Sequence, residues 1–187
     1  QDPVGGTRYR VPGLGPTPLT VYLTLITSMF MHGGWAHLIG NLLYLWIFGD
    51  NVEDRVGHGR FVAFYLLCGI AAALAHVGAT YALGGSTTTP MLGASGAISA
   101  VLGAYLLLFP RKRVRVILLR ILMAVPAWVA IVVWFAFQLI SGMGVLGSGT
   151  QTGGVAYAAH IGGFVAGALL IWFFTPIRGS RRASRRR

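Results

Sequence analysis

Only four of the 187 residues are acidic, and only 10% of the chain is charged, where a soluble domain carries about a quarter. With 55% hydrophobic residues and a mean hydropathy of +0.69, this scarcity excludes a water-soluble globular protein and leaves one integral membrane domain. The missing carboxylates exclude chemistry as well. Asp2 lies in the leading loop, and Asp50, Glu53 and Asp54 sit together, so no pair of membrane-embedded aspartates exists for an aspartyl mechanism. The single cysteine, Cys68, can form no internal disulfide and, in an apolar run, reads as a small core residue. There is no His-Glu-x-x-His motif. A zinc site built from His32, His37 and His160 would have neither carboxylate nor thiolate beside it, and no metal or cofactor is expected. Position 1 is not Met, no signal-peptide pattern opens the chain, and residues 1–18 read as a loop rich in Gly and Pro. A fragment with something missing upstream is the expectation.

The net charge of +11 suggests nucleic acid until its distribution is read. Arg8 and Arg10 lie near the start, and Arg55 and Arg60 follow the first apolar segment. Arg111, Lys112, Arg113, Arg115 and Arg120 separate the third from the fourth, and six arginines form the tail. The connections near 84–91 and 141–153 carry none. That alternation is the positive-inside pattern and fixes an orientation; nucleic acid is not the expected partner, whereas anionic membrane lipid is one for the tail. Five apolar stretches, about 34–52, 61–83, 91–109, 121–140 and 153–174, approach the ~20 residues that cross hydrocarbon as a helix. The run 19–31 before them reads as re-entrant or interfacial, and Pro126 is expected to kink the fourth span. The division is an external, partly membrane-associated loop region 1–33, a transmembrane domain 34–177 and a basic cytoplasmic tail 178–187. Basic loops without a targeting segment point to a bacterial plasma membrane. Nothing in the sequence sets the oligomeric state.

Within these spans stand a few polar side chains, and an intramembrane polar residue is a functional hypothesis by default. With the basic loops on one side, the first, third and fifth spans enter from the other. His37 and Asn41 then lie in the first two turns of the first span, and Ser95 lies about one turn into the third. His160 is seven residues into the fifth, roughly 10 Å deep at 1.5 Å per residue. Four polar residues from three segments share one depth. Serine is a weak nucleophile until a base takes its proton, and histidine is the usual base. No acid is placed to orient His160, so a serine hydrolase here works with a dyad. His37 and Asn41, spaced i, i+4, share a helix face and offer donors for an oxyanion beside the Ser95 backbone N–H. Gly96 is read as freeing the backbone to approach a substrate. Ser95, Ser99 and Gly103 make a ridge of small residues, as do Gly163 and Gly167, and such ridges let membrane helices approach closely. Taken singly, each residue also fits a blander role: Gly-x-Ser-Gly as packing material, His37 and Asn41 as interhelical glue, His32 as a structural loop residue, His76 as hydrogen-bonded internally, His58 as solvated.

Three ordered motifs resemble the rhomboid family of intramembrane serine proteases. The stretch His32-Gly33-Gly34-Trp35-Ala36-His37-Leu38-Ile39-Gly40-Asn41 is similar to its His-x-x-x-Asn segment, Gly93-Ala94-Ser95-Gly96 to its Gly-x-Ser-Gly motif, and Ala159-His160-Ile161-Gly162-Gly163 through Gly167 to its base helix. Glu53-Asp54-Arg55-Val56-Gly57 is similar to its Glu-x-Arg-x-Gly turn. The resemblance implies an all-α polytopic bundle with five of six core helices present, the first being absent. It implies Ser95 as nucleophile, His160 as base, Asn41 and His37 as oxyanion donors, and a water-filled cavity opening outward. Single-span transmembrane proteins, cleaved near the outer face, are the implied substrates. Some members carry a Tyr four residues after the serine that stacks on the histidine. Here that position is Ser99, which leaves Tyr157 or Phe164 to support His160. The rival is a proteolytically silent, client-binding relative, which typically lacks the serine or histidine. A transporter is disfavoured by the near absence of polar residues in the second and fourth spans.

Overall fold

The helix α5 (Ser95–Leu108) is apolar on every side, so no face of it is suited to water and it belongs at the centre of whatever forms. In a computed structural model, which describes residues 21–84, 90–118, 121–148 and 157–176, every residue from Gly96 to Tyr105 is buried. The leading loop 1–18 and the tail 178–187 lie outside the described residues. Around α5 pack α4 (His58–Ala82) and α7 (Tyr157–Phe174). These two are long and apolar enough to cross a membrane. On the amino-terminal side, short helical turns over Val21–Phe30, including α1 (Thr24–Thr27), precede α2 (Trp35–Tyr44). A π-helical turn, Leu45–Gly49, joins α2 without a break to α3 (Asp50–Val56). The first apolar segment is thus a helix running to 56, and Gly57, at φ 94°, turns the chain into α4. There His58 pairs with Glu53 rather than being merely solvated. The core gathers Phe48, Val52, Phe64, Cys68, Tyr105 and Ile131, while Trp35, Trp46, Val133, Phe137, Trp172 and Phe173 are exposed. Large apolar side chains facing outward suit a lipid solvent, which is as apolar as they are.

The fourth apolar stretch differs from expectation. It is not helical from 121: β1 (Arg113–Leu118) and β2 (Ile121–Pro126) form an antiparallel hairpin pairing Arg113 with Pro126 and Leu118 with Ile121, and α6 (Ala127–Ser148) begins only afterwards. The reason is in the pattern Arg-Val-Arg-Val, which has a period of two and branched side chains. It buries Val114 in the core and leaves Arg113 and Arg115 exposed. Pro126 therefore does not kink a span. It closes the ladder, where a missing N–H is tolerated, and stands just ahead of a helix. The first N–H groups of α6 are satisfied from the preceding connection, Ala127 donating to the Lys112 carbonyl (2.8 Å) and Trp128 to that of Pro110 (3.1 Å). Lys112 itself donates to Asn51 Oδ1, tying hairpin to α3.

The tightest contact is between α5 and α7. A methyl group added at Gly163 would fall on the Gly96 carbonyl, one at Gly167 on the Ala100 backbone, and one at Gly103 on the Phe164 carbonyl. The helices thus meet backbone to backbone. The α5 side of the contact is Gly96, Ala100 and Gly103, turned by one residue from the expected ridge of Ser95, Ser99 and Gly103. The Ser99 hydroxyl instead folds back to donate to the Ser95 carbonyl (2.6 Å). Gly167→Ala should destabilise the fold by about 1–3 kcal/mol, the usual cost of overpacking, whereas Gly78→Ala, with nothing within 4 Å, should cost nothing. Thermal unfolding in detergent separates the two; equal melting temperatures would show that the helices do not rely on this approach.

Candidate active site

Ser95 is the first residue of α5 rather than one turn inside a longer helix. Residues 91–94 are held out of the helix by Gly93, whose φ of 108° disfavours any residue with a side chain. Its N–H donates to the Ser28 carbonyl (2.9 Å). With 14 residues at 1.5 Å each, α5 is about 21 Å long, shorter than the ~30 Å hydrocarbon layer of a bilayer. No side chain caps this end, and the first bond of the ladder is from Ile98 to Ala94 (3.0 Å). The N–H groups of Ser95, Gly96 and Ala97 precede it, at the positive end of the helix dipole.

His160 lies on α7, and its Nε2 is 2.7 Å from Ser95 Oγ. The other ring nitrogen, Nδ1, lies 2.7 Å from the side-chain oxygen of Gln138 on α6. The Trp134 ring, one turn before Gln138, lies with its centroid 6.0 Å from that of His160. Neither aromatic expected to support His160 fills that role. Phe164 stacks on Phe135 (4.3 Å) because it lies one turn further along α7, at core depth, and the ring beside the imidazole comes from α6. Gln138 was not among the residues the sequence singled out. A signal existed: it is the one polar residue between 127 and 140, and polar residues at membrane depth mark function.

The third element is α2. His37 Nδ1 accepts from the Gly33 N–H at 3.4 Å, which leaves the proton on Nε2, and a methyl at Gly93 would lie 2.7 Å from that atom. Asn41 is buried and spends one amide hydrogen on the His37 carbonyl (3.1 Å), keeping the other. His32 meets the His37 ring edge-on (5.1 Å). His37, Asn41, Ser95, Trp134 and His160 all line one cavity of about 900 Å³, near the upper end of small-molecule sites. Gly96 also lines the cavity, and a methyl there would lie 2.7 Å from the Ala72 side chain, so its smallness serves packing against α4 as well. The arrangement sets a hydroxyl against an imidazole, with several N–H donors nearby that have no partner among the described residues.

The family model for the rhomboid domain matches residues 20–177. Over 167 residues, 89% of this chain and 46% of the relative, the sequence is 31% identical to "Rhomboid protein 1, mitochondrial" of Saccharomyces cerevisiae. It is 28% identical over 177 residues to the mouse "Presenilin-associated rhomboid-like protein, mitochondrial", covering 89% of this chain and 44% of that one. It is 43% identical over 83 residues to "Rhomboid protease GluP" of Bacillus subtilis, covering 44% of this chain and 15% of that protein. The chain spans about half the length of the first two relatives or less. The matched model, covering nearly every described residue and all three polar segments of the cavity, places the chain in the rhomboid family, as an integral membrane protein.

Proposed function

We propose that the chain is an intramembrane serine endopeptidase that cleaves single-span transmembrane proteins near the membrane face opposite its basic loops. The observation that carries this reading is the 2.7 Å contact of Ser95 Oγ with His160 Nε2 at the head of a cavity. A substrate helix must first unwind, because its own hydrogen bonds shield its carbonyls. Ser95 Oγ attacks the carbonyl carbon while its proton passes to His160 Nε2. The oxyanion is met by the Asn41 amide, His37 Nε2–H and the backbone N–H at the start of α5, donors that gain strength where water is excluded. His160 then gives the proton to the leaving amine nitrogen, the C–N bond breaks, and an ester on Ser95 remains. Water, deprotonated by His160, attacks that ester; the carboxyl product leaves and Ser95 regains its proton. No metal or cofactor enters these steps.

One relative is named as a protease, which supports the reading. The yeast and mouse relatives carry mitochondrial names, so the comparisons do not support the bacterial plasma membrane expected from the basic loops. The orientation argument is the same in either membrane, since basic loops stay on the side of insertion.

Ser95→Ala should abolish cleavage of a model membrane substrate and labelling by a fluorophosphonate, with unchanged thermal stability. His160→Ala should be as severe, and the double variant no worse than either, because residues acting as a unit are not additive. Losses that multiply would break the dyad. A chain that only binds clients would take up no label in any form.

Asn41→Ala should lower kcat by about 10- to 1000-fold with a smaller effect on KM, the size expected for one lost oxyanion donor, and His37→Ala should act similarly but more mildly. A fall in melting temperature large enough to account for the lost activity would instead make both residues helix glue.

A further inference from the structure

Gln138 is 6% exposed and stands on a helix that carries none of the groups assigned to bond cleavage. We propose that it is a positioning residue: its side-chain oxygen holds His160 in the tautomer with the proton on Nδ1, leaving Nε2 free to take the proton of Ser95. The inference rests on the serine-protease reading of the site and adds to it the group that orients the base.

A neutral imidazole has one N–H and one lone pair. The Ser95 hydroxyl can donate or accept, so its contact with Nε2 fits both tautomers equally. The contact at Nδ1 does not. A carbonyl oxygen only accepts, and at 2.7 Å it requires a donor. With the proton on Nε2, two lone pairs would face each other in a buried site, and Nε2–H would point at the nucleophile instead of receiving its proton. Were the amide turned over, its NH₂ would donate to Nδ1 and impose that unproductive tautomer. The tautomer is therefore the quantity to measure. Trp134, one turn away on the same face of α6, stands beside the imidazole with ring planes at 42°, so one helix supplies both a ring neighbour and a hydrogen-bond acceptor. In a Ser-His-Asp triad an aspartate does the orienting. At membrane depth a carboxylate is costly, and an amide oxygen gives the same direction to the ring without a net charge.

The test has two readouts. In protein labelled with ¹⁵N-histidine and held in detergent at a pH where the imidazole is neutral, the His160 ring signals, identified by their loss in His160→Ala, should report a proton on Nδ1. In Gln138→Met, close in shape but without an acceptor, they should report a mixture of tautomers. In Gln138→Glu, which keeps an oxygen at the same place, the Nδ1–H form should persist. Gln138→Met should also lower kcat by about 10- to 100-fold with KM little changed. This is less than the ~10⁴-fold loss when a triad's wrong tautomer is imposed, because Met only releases the choice. Gln138→Glu should recover most of that loss. A wild-type His160 protonated on Nε2, or the same tautomer in wild type and Gln138→Met, would overturn the proposal. So would a kcat loss in Gln138→Met that merely tracks a lower melting temperature and is not relieved in Gln138→Glu. Wild-type cleavage by Ser95→Ala would sink the protease reading instead, and the ring signals would still decide the tautomer.

Discussion

The approach of α5 to α7 is the constraint on which the site depends. Ser95 and His160 are 65 residues apart in sequence, and each is fixed to a helix whose neighbour touches its backbone. Gly163 against the Gly96 carbonyl and Gly167 against Ala100 set the separation of the axes, and the side chains have no freedom to make up an error in it. In lipid no hydrophobic force draws two helices together, so close packing of small residues is what holds them. The same close contact makes the arrangement brittle. A methyl group at 167 is two turns from His160 in sequence, yet it would fall on the Ala100 backbone and so change where α7 can lie.

A second constraint is charge. Among the described residues the cavity's polar groups are hydroxyl, imidazole, amide and backbone N–H; the acids of α3 lie at the other end of that segment. Every resting group can therefore be neutral, and no ion need be buried while the site is empty. In the proposed reaction charge develops only transiently, as imidazolium and oxyanion together, and each would be met by a dipole already in place. A low-dielectric setting favours this, since fixed dipoles are worth more there and need no reorganisation. The abrupt start of α5 follows the same logic: its first N–H groups, without partners among the described residues, would be costly in hydrocarbon but stand beside a cavity.

Much of this was legible in the chain. The spacing of His37 and Asn41, the Gly-x-Ser-Gly sequence and the Ala-His-x-x-Gly segment are local patterns, and local patterns survive folding. Three features were not legible for physical reasons. The hairpin at 113–126 lies in a stretch whose apolar content reads as helix when only composition is weighed, while its alternation, just two arginines long, speaks for strand. The start of α5 at Ser95 depends on the backbone angle of Gly93, which sequence permits but does not require. The partner of His160 is set by which residues of α6 happen to meet α7, a tertiary fact. Tyr157 and Phe164 were reasonable candidates because residues three and four apart on a helix are neighbours, but Phe164 stacks on Phe135 and the ring beside His160 is that of Trp134.

The hairpin and the partner of His160 are linked. On α6 the inward residues are Ala127, Ile131, Trp134 and Gln138, a spacing of four, three and four that keeps one stripe toward α5 and α7. Gln138 is thus about three turns, or ~16 Å, above the start of the helix, and its height and direction are set by where that start is pinned. The pin is the hairpin: Pro126 ends the ladder, and the first two N–H groups of α6 are bound to the carbonyls of Lys112 and Pro110. Had 121–126 continued as helix, α6 would enter the bundle without this anchor, and nothing near its base would fix its rotation. One residue inserted after Pro126 would turn the stripe by about 100° and carry Gln138 away from the imidazole while leaving Ser95, His160 and Asn41 untouched. A short strand pair at the base of α6 thereby determines how a histidine on α7 is held.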